Sequence, residues 1–192
     1  MIRIINSFLV FISLLSDVAF SQELRFLKED ITFKLNSEYF EVEGLYWFAN
    51  LTNHSIEKVI FYPFGNTNKD EIIDSVEIIN IMEGSINNVL NRNESGFNFL
   101  VKLENGDTTI YRIRYRQKLN CDSVRYILHS TQLWNEALES VEYKLIVSEP
   151  VVVTDYSYTP DETFSIQGKK IYYWKRSYFL PEKDLIFHFE IK

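Results

Sequence analysis

Alternation of apolar and polar residues with a period of two constrains this chain more than any other feature. Phe97, Phe99, Val101 and Leu103 form one such run, and Tyr111, Ile113 and Tyr115 another. The pattern returns in Val124, Tyr126 and Leu128, in Val141, Tyr143, Leu145 and Val147, and in Leu185, Phe187, Phe189 and Ile191. The pleat of an extended strand puts the apolar members of each run on one face. Further strands are predicted at 31–35, 39–51, 57–62, 75–82, 151–158 and 170–179. Turn-forming stretches such as PFGNTNKD, ENGD, LNCD, TPDE and IQGK separate them. Roughly ten to twelve short strands, with a turn about every ten residues, predict an all-β, antiparallel, two-layer β-sandwich. Hydrophobic residues make up 46% of the 192, and aromatic residues 16%, which is ample for its core. From Leu45 to Phe48 both faces are apolar, as expected of a covered central strand, and Gly44 marks a place for a bulge or bend.

The opening stretch MIRIINSFLVFISLLSDVAFSQ has a different character. Arg3 precedes an apolar run over residues 8–15, and Ala19 and Ser21 occupy the small-residue positions of a cleavage site. This predicts a signal peptide over 1–21, cut between Ser21 and Gln22, followed by a single sandwich domain over 22–192. The run is too short for a bilayer core of about 30 Å, and Asp17 interrupts it. No other apolar stretch is long enough to cross a membrane. No cysteine lies near the cut, which excludes a lipid anchor there. The one cysteine, Cys121, allows no intrachain disulfide. Export without disulfides suggests a bacterial envelope, periplasmic or secreted. A net charge of −7 argues against nucleic acid as a partner.

Arg112, Arg114 and Arg116 alternate with Tyr111, Ile113 and Tyr115. A hairpin opposing Arg116 with Arg125 would set Tyr115 against Tyr126 and Ile113 against Leu128, gathering the apolar residues on one face. The arginines, Arg125 included, would then share the other face with His129. That face is either solvated and paired with acidic side chains or an anion-binding strip for acidic glycans or a partner's carboxylates. A second hairpin through Asn105-Gly106 is predicted to pair 97–103 with 108–116, with a glycine bulge rather than a tight turn.

Catalytic signatures are missing: there is no G-x-S-x-G and no H-E-x-x-H, and His54, His129 and His188 are scattered. No metal or other cofactor is expected. Asn66, Asn68, Asp70 and Glu77 have the spacing of a calcium loop, but Glu71 stands where glycine is required, so a polar turn is expected. Trp134, Trp174 and nearby tyrosines could stack on a sugar or fill the core. The expectation is a non-enzymatic binding or structural module of the cell envelope, with an envelope protein or a glycan as partner. The alternatives are a carbohydrate-binding domain and a hydrolase drawing carboxylates from different strands.

Three short motifs add a resemblance. They are Tyr115–Gln117 (Y-x-Q), Thr131–Trp134 (T-x-x-W) and Phe179–Leu185 (F-x-P-x-x-D-L). In this order the chain resembles a family of secreted, mostly bacterial, all-β domains of unknown function, which implies a β-sandwich and export and no catalytic residue. The V-x-G-x-Y-x-F-x-N stretch beginning at Val42 is also similar to the N-terminal β domain of zinc aminopeptidases.

Overall fold

The computed structural model describes residues 23–65, 72–134 and 136–192. The predicted leader and its cut, and the calcium-loop positions Asn66, Asn68, Asp70 and Glu71, lie outside them. In chain order the strands are β1 (Leu24–Leu35), β2 (Tyr39–Asn50), β3 (Ile56–Pro63), β4 (Ile73–Asn80), β5 (Ser85–Ile86), β6 (Val89–Asn93), β7 (Gly96–Leu103), β8 (Thr108–Lys118), β9 (Ser123–Tyr126), β10 (Leu138–Val147), β11 (Val151–Tyr156), β12 (Glu162–Ile166), β13 (Lys169–Phe179) and β14 (Leu185–Ile191). One 3-10 helix, His129–Trp134, interrupts them.

The fold is all-β and open. An eight-stranded sheet runs β12-β13-β10-β1-β2-β8-β4-β5. The second layer is split into two three-stranded sheets, β11-β14-β9 and β3-β7-β6. The first half-layer packs on the β10–β1 side, where Phe33 meets Tyr126 and Phe187 at ring distances of 5.2 and 5.7 Å. The second packs on the β2–β8 side, where Tyr62 meets Tyr46 at 5.6 Å and Phe99 meets Tyr111 at 5.4 Å. One hydrophobic core draws on all three sheets. Among the described residues, one strand pair departs from the antiparallel expectation: β1 and β10 are parallel, in register from Lys28↔Ser140 to Leu35↔Val147.

Neither predicted hairpin forms. Strand β8 lies between β2 and β4, and β9 pairs with β14 in the other layer. Strands β7 and β8 are also in different layers; Gly106, with φ +68°, turns the chain from one to the other. Period-two alternation fixes which face of a strand is buried, but not whether apolar residues meet side by side in one sheet or face to face across the core. Charge accounts for the choice made by β8. Pairing with β9 would oppose Arg116 and Arg125, whereas β2 and β4 bring Glu41, Glu43, Asp74 and Glu77 beside the arginines. The predicted parity holds regardless: Tyr111, Ile113, Tyr115, Tyr126 and Leu128 are all buried.

Candidate functional site

The two half-layers abut at the edges of β3 and β9, and the seam between them is a pocket. At one end it is shut tight: Gly65, just past β3, packs so closely on the Arg125 carbonyl that any Cβ there would collide with backbone. Farther along the seam lies a cavity of about 50 Å³. The floor comes from the large sheet, with Glu29 and Phe26 of β1 and Tyr46 and Phe48 of β2. The walls are Ile60, Phe61 and Tyr62 of β3 on one side and Tyr126, Ile127, Thr131 and Trp134 on the other.

Glu29 is the unexpected member. Its place on the core face follows from a bulge in β1 between Phe26 and Lys28, which shifts the alternation by one residue. Leu24 and Phe26 point inward before the bulge, and Glu29, Ile31, Phe33 and Leu35 after it. The carboxylate is 2% exposed. Tyr143 Oη donates to its Oε1, and Tyr126 Oη donates to its Oε2 at 3.3 Å. Tyr126 Oη lies 3.1 Å from Tyr46 Oη, which lies 2.7 Å from Tyr62 Oη. Each hydroxyl has a single proton, so with Glu29 ionised the donors run from Tyr62 to Tyr46 to Tyr126 to Glu29. Burial pushes the Glu29 carboxyl up to about 7, against the opposing hydrogen bonds from Tyr143 and Tyr126. Burial, together with the Glu29 charge, holds the Tyr46, Tyr126 and Tyr143 hydroxyls well above their ordinary range. All three remain protonated donors at neutral pH. No ion pair to Glu29 occurs among the described residues.

Gly44 has a different role from the one its sequence context suggests. Strand β2 pairs regularly through Gly44 on both sides, without a bulge. The missing side chain instead gives room to the Tyr46 ring, which lies over it; a Cβ at residue 44 would collide with that ring and its hydroxyl.

Asp184 positions the wall that carries Trp134. Its Oδ1 accepts the N–H groups of Leu128 and His129, each at 3.0 Å, at the start of the 3-10 helix. Gln132 Nε2 donates to the Pro181 carbonyl at 2.8 Å. Two of the sequence motifs, Thr131–Trp134 and Phe179–Leu185, are therefore joined in space, and together they build one side of the pocket. Trp134 is half-buried, with its ring 5.7 Å from Phe26 and 5.8 Å from Phe48.

The six residues singled out from sequence do not form one surface. Arg112, Arg114 and Arg116 lie on the outer face of the large sheet, each beside a carboxylate. Arg112 is 3.5 Å from Glu77, and Arg114 is 2.8 Å from Glu41. Arg116 makes two hydrogen bonds to Asp74 Oδ2, at 2.9 and 2.7 Å, and covers the Tyr39 ring. Burial alone would raise the Glu41 carboxyl, but hydrogen bonds from Arg114 and Lys34 hold it below the usual carboxylate range. The Arg116 hydrogen bond does the same for Asp74. Arg125 sits in the other layer, 4.0 Å from Asp184, so the predicted four-arginine face is not assembled. Trp174 is 2% exposed, and its indole N–H donates to the Tyr158 carbonyl at 2.9 Å. It is a core residue with no face open to a sugar. Trp134 alone of the six lines the seam pocket.

No protein-family model matches the chain, and no curated protein matches it. Solved structures do share its fold. A Legionella pneumophila protein, provisionally named a nutrient binding protein, matches over 87% of this chain and 67% of its own, with a TM-score of 0.67 and 12% identity. An M1 zinc metallopeptidase of Deinococcus radiodurans matches over 86% of this chain at a TM-score of 0.51 and 10% identity. The chain spans 42% of that enzyme's length. The similarity to zinc aminopeptidases read from sequence thus has a counterpart in the fold. Among the described residues no helix is long and apolar enough to cross a membrane, and no group of three or more potential metal ligands converges.

Proposed function

We propose that this chain is an exported, non-enzymatic binding module of the cell envelope whose ligand enters the seam between the two half-layers. The observation that carries this reading is the buried Glu29 carboxylate with its tyrosine hydroxyls, lying at the floor of an aromatic-walled cavity. A carboxylate is costly to bury without a cation, and convergent polar groups in an apolar pocket are the usual mark of a ligand site. The fold shared with a provisionally named nutrient binding protein supports a binding role. Among the described lining residues Glu29 is the one carboxylate, whereas a glycoside hydrolase uses a pair, so the hydrolase reading gains nothing from this site. A sugar-binding reading is also weaker in the pocket. A pyranose is bulkier than benzene, which fills an engineered cavity of about 150 Å³.

The test is native mass spectrometry of the protein purified from its own compartment, beside a Ser130→Trp variant that fills the pocket mouth. The expected result is a bound small molecule on the wild type that is lost from the variant. If the same species stays on both proteins, or if NMR titration of a metabolite library never moves the seam residues, the pocket is not the site.

A further inference from the structure

Three properties of the seam together select a ligand chemistry. First, the Glu29 carboxylate is under-used. An ionised carboxylate offers about four acceptor positions, and Tyr143 and Tyr126 donate to two of them. Both donors are neutral, so among the described residues the negative charge has hydrogen bonds but no counter-charge. Second, the aromatic residues Phe48, Tyr62 and Trp134 line the cavity around it. Ring faces are electron-rich and attract cations, tryptophan most of all. Third, among the described strands β3 is an edge strand, hydrogen-bonded to β7 on one side. One row of its backbone groups is therefore turned toward the seam and can accept from an entering donor.

We propose that the seam pocket receives a primary ammonium group borne on an aliphatic chain, with Glu29 taking the charge and the aromatic walls enclosing the head. This rests on the reading of the seam as the ligand site. An ammonium brings three N–H donors, which the free acceptor positions of Glu29 and the β3 edge can share. Size agrees as well. A cavity of about 50 Å³ exceeds the ~10–15 Å³ that one water needs and falls short of the room required by a ring. The apolar lining from Ile60 and Ile127 suits the methylenes that follow the head. The groups facing Glu29 are tyrosines from each element packed against it: Tyr46 of β2, Tyr62 of β3, Tyr126 of β9 and Tyr143 of β10.

The sign of the pH dependence is fixed by this arrangement. Burial pushes the Glu29 carboxyl up to about 7, whereas an alkylamine stays charged throughout the neutral range. Binding needs the ionised carboxylate, so affinity rises as pH increases through 7. A shift from pH 6 to pH 8 corresponds to about tenfold tighter binding.

The test titrates the protein with butylamine and, separately, with 1-butanol at pH 6 and pH 8, following the Trp134 indole N–H by NMR. The expected result is butylamine binding that is about tenfold tighter at pH 8, with 1-butanol at least tenfold weaker than the amine. On the wild type, saturating butylamine should lower the Glu29 carboxyl titration, read from its 13C shift. Glu29→Gln should weaken the amine at least tenfold and leave 1-butanol unchanged. A third arm uses Nα-acetyl-lysine. Binding equal to butylamine assigns the head to a lysine side chain, and failure beside butylamine binding assigns it to a free amine. Butanol binding as tight as butylamine, or butylamine affinity that is flat between pH 6 and pH 8, overturns the ammonium assignment while leaving the seam as a ligand site. If neither probe moves Trp134, the assignment is overturned, and the seam itself is judged by the retained-ligand experiment.

Discussion

The Tyr46 ring lies over the bare Cα of Gly44 two residues earlier on β2, and this holds the Tyr46 hydroxyl 2.7 Å from Tyr62 and 3.1 Å from Tyr126. A side chain at residue 44 and this position of the ring are mutually exclusive. Gly44→Ala should therefore displace Tyr46 and break the hydroxyl chain between the half-layers. The expected loss is about 1–3 kcal/mol, the cost of leaving buried polar groups unsatisfied. The double variant Gly44→Ala/Tyr46→Phe should lose less than the sum of the two single changes, because both act on the same contact. Urea melts of the four proteins measure it; strict additivity would show that the two residues are independent.

Glu29 should make folding stability depend on pH. Its folded carboxyl titrates near 7 against an ordinary 4.5. Between those values the native state keeps a proton that the unfolded chain has released. Stability therefore falls as pH rises through this window and levels off above it. The size is about 3 kcal/mol. Glu29→Gln removes the titration, so the stability difference, wild type minus variant, should decline from pH 4.5 to pH 7 and then stay constant. Denaturant melts at half-unit pH intervals read it directly. A difference that is flat across this range would contradict the raised carboxyl.

On strand β8 the two faces should respond in opposite ways. Ile113 is 1% exposed in the core, and a carboxylate there has no partner. Ile113→Asp should leave the protein unfolded at 25 °C. Arg114 points outward to Glu41, and exposed ion pairs contribute little, so Arg114→Ser should cost under about 1 kcal/mol. Circular dichroism and urea melts decide. Comparable large losses for both would mean that the outer charge network contributes to stability as much as the core does.

Asn50 should matter to stability, and its neighbour Asn53 should not. The Asn50 amide is buried, donates to the carbonyls of His54 and Glu104 at 2.7 and 2.8 Å, and accepts from Thr52 N–H at 2.9 Å. It ties the β2–β3 turn to the β7–β8 turn. Asn50→Ala should cost about 1–3 kcal/mol, while exposed Asn53→Ala should stay within ~0.5 kcal/mol. Thermal melts of the two variants provide the comparison. In the folded domain Asn50 is also closed to glycosylation, although it begins an N-x-T sequon.

Strand existence and parity were legible in the sequence, because burial writes itself into alternate positions. Runs such as Val141 to Val147 and Leu185 to Phe189 are strands with their apolar residues inside. The IQGK turn is equally legible: Gln167 and Gly168 both have positive φ and close the β12–β13 hairpin. Partners were not legible. Tyr126 satisfies its pattern against Leu185 as well as it would have against Tyr115. Glu29 was hidden by the bulge at Leu27, which interrupts the alternation just where a strand reading begins. The spacing Glu29, Ile31, Phe33, Leu35 carries the signal, once the first of these is allowed to be polar. Trp174 belongs to a strand rich in aromatics on both faces, so alternation alone could not say which of its rings are buried.

The parallel pairing of β1 with β10 has a temporal consequence. Strand β1 occupies the middle of the large sheet, yet its neighbour on one side arrives only when the ribosome has passed Val147. Until then the backbone edge of β1 from Lys28 to Leu35 is bare, and Glu29 lacks the Tyr143 hydroxyl that covers it. The amino-terminal half of the chain can gather β2, β8 and β4 early, but not finish its own centre. Contacts between such distant segments slow folding, so a chain still being translated waits long with this edge unprotected. A chaperone that engages the nascent protein would find an open strand edge there.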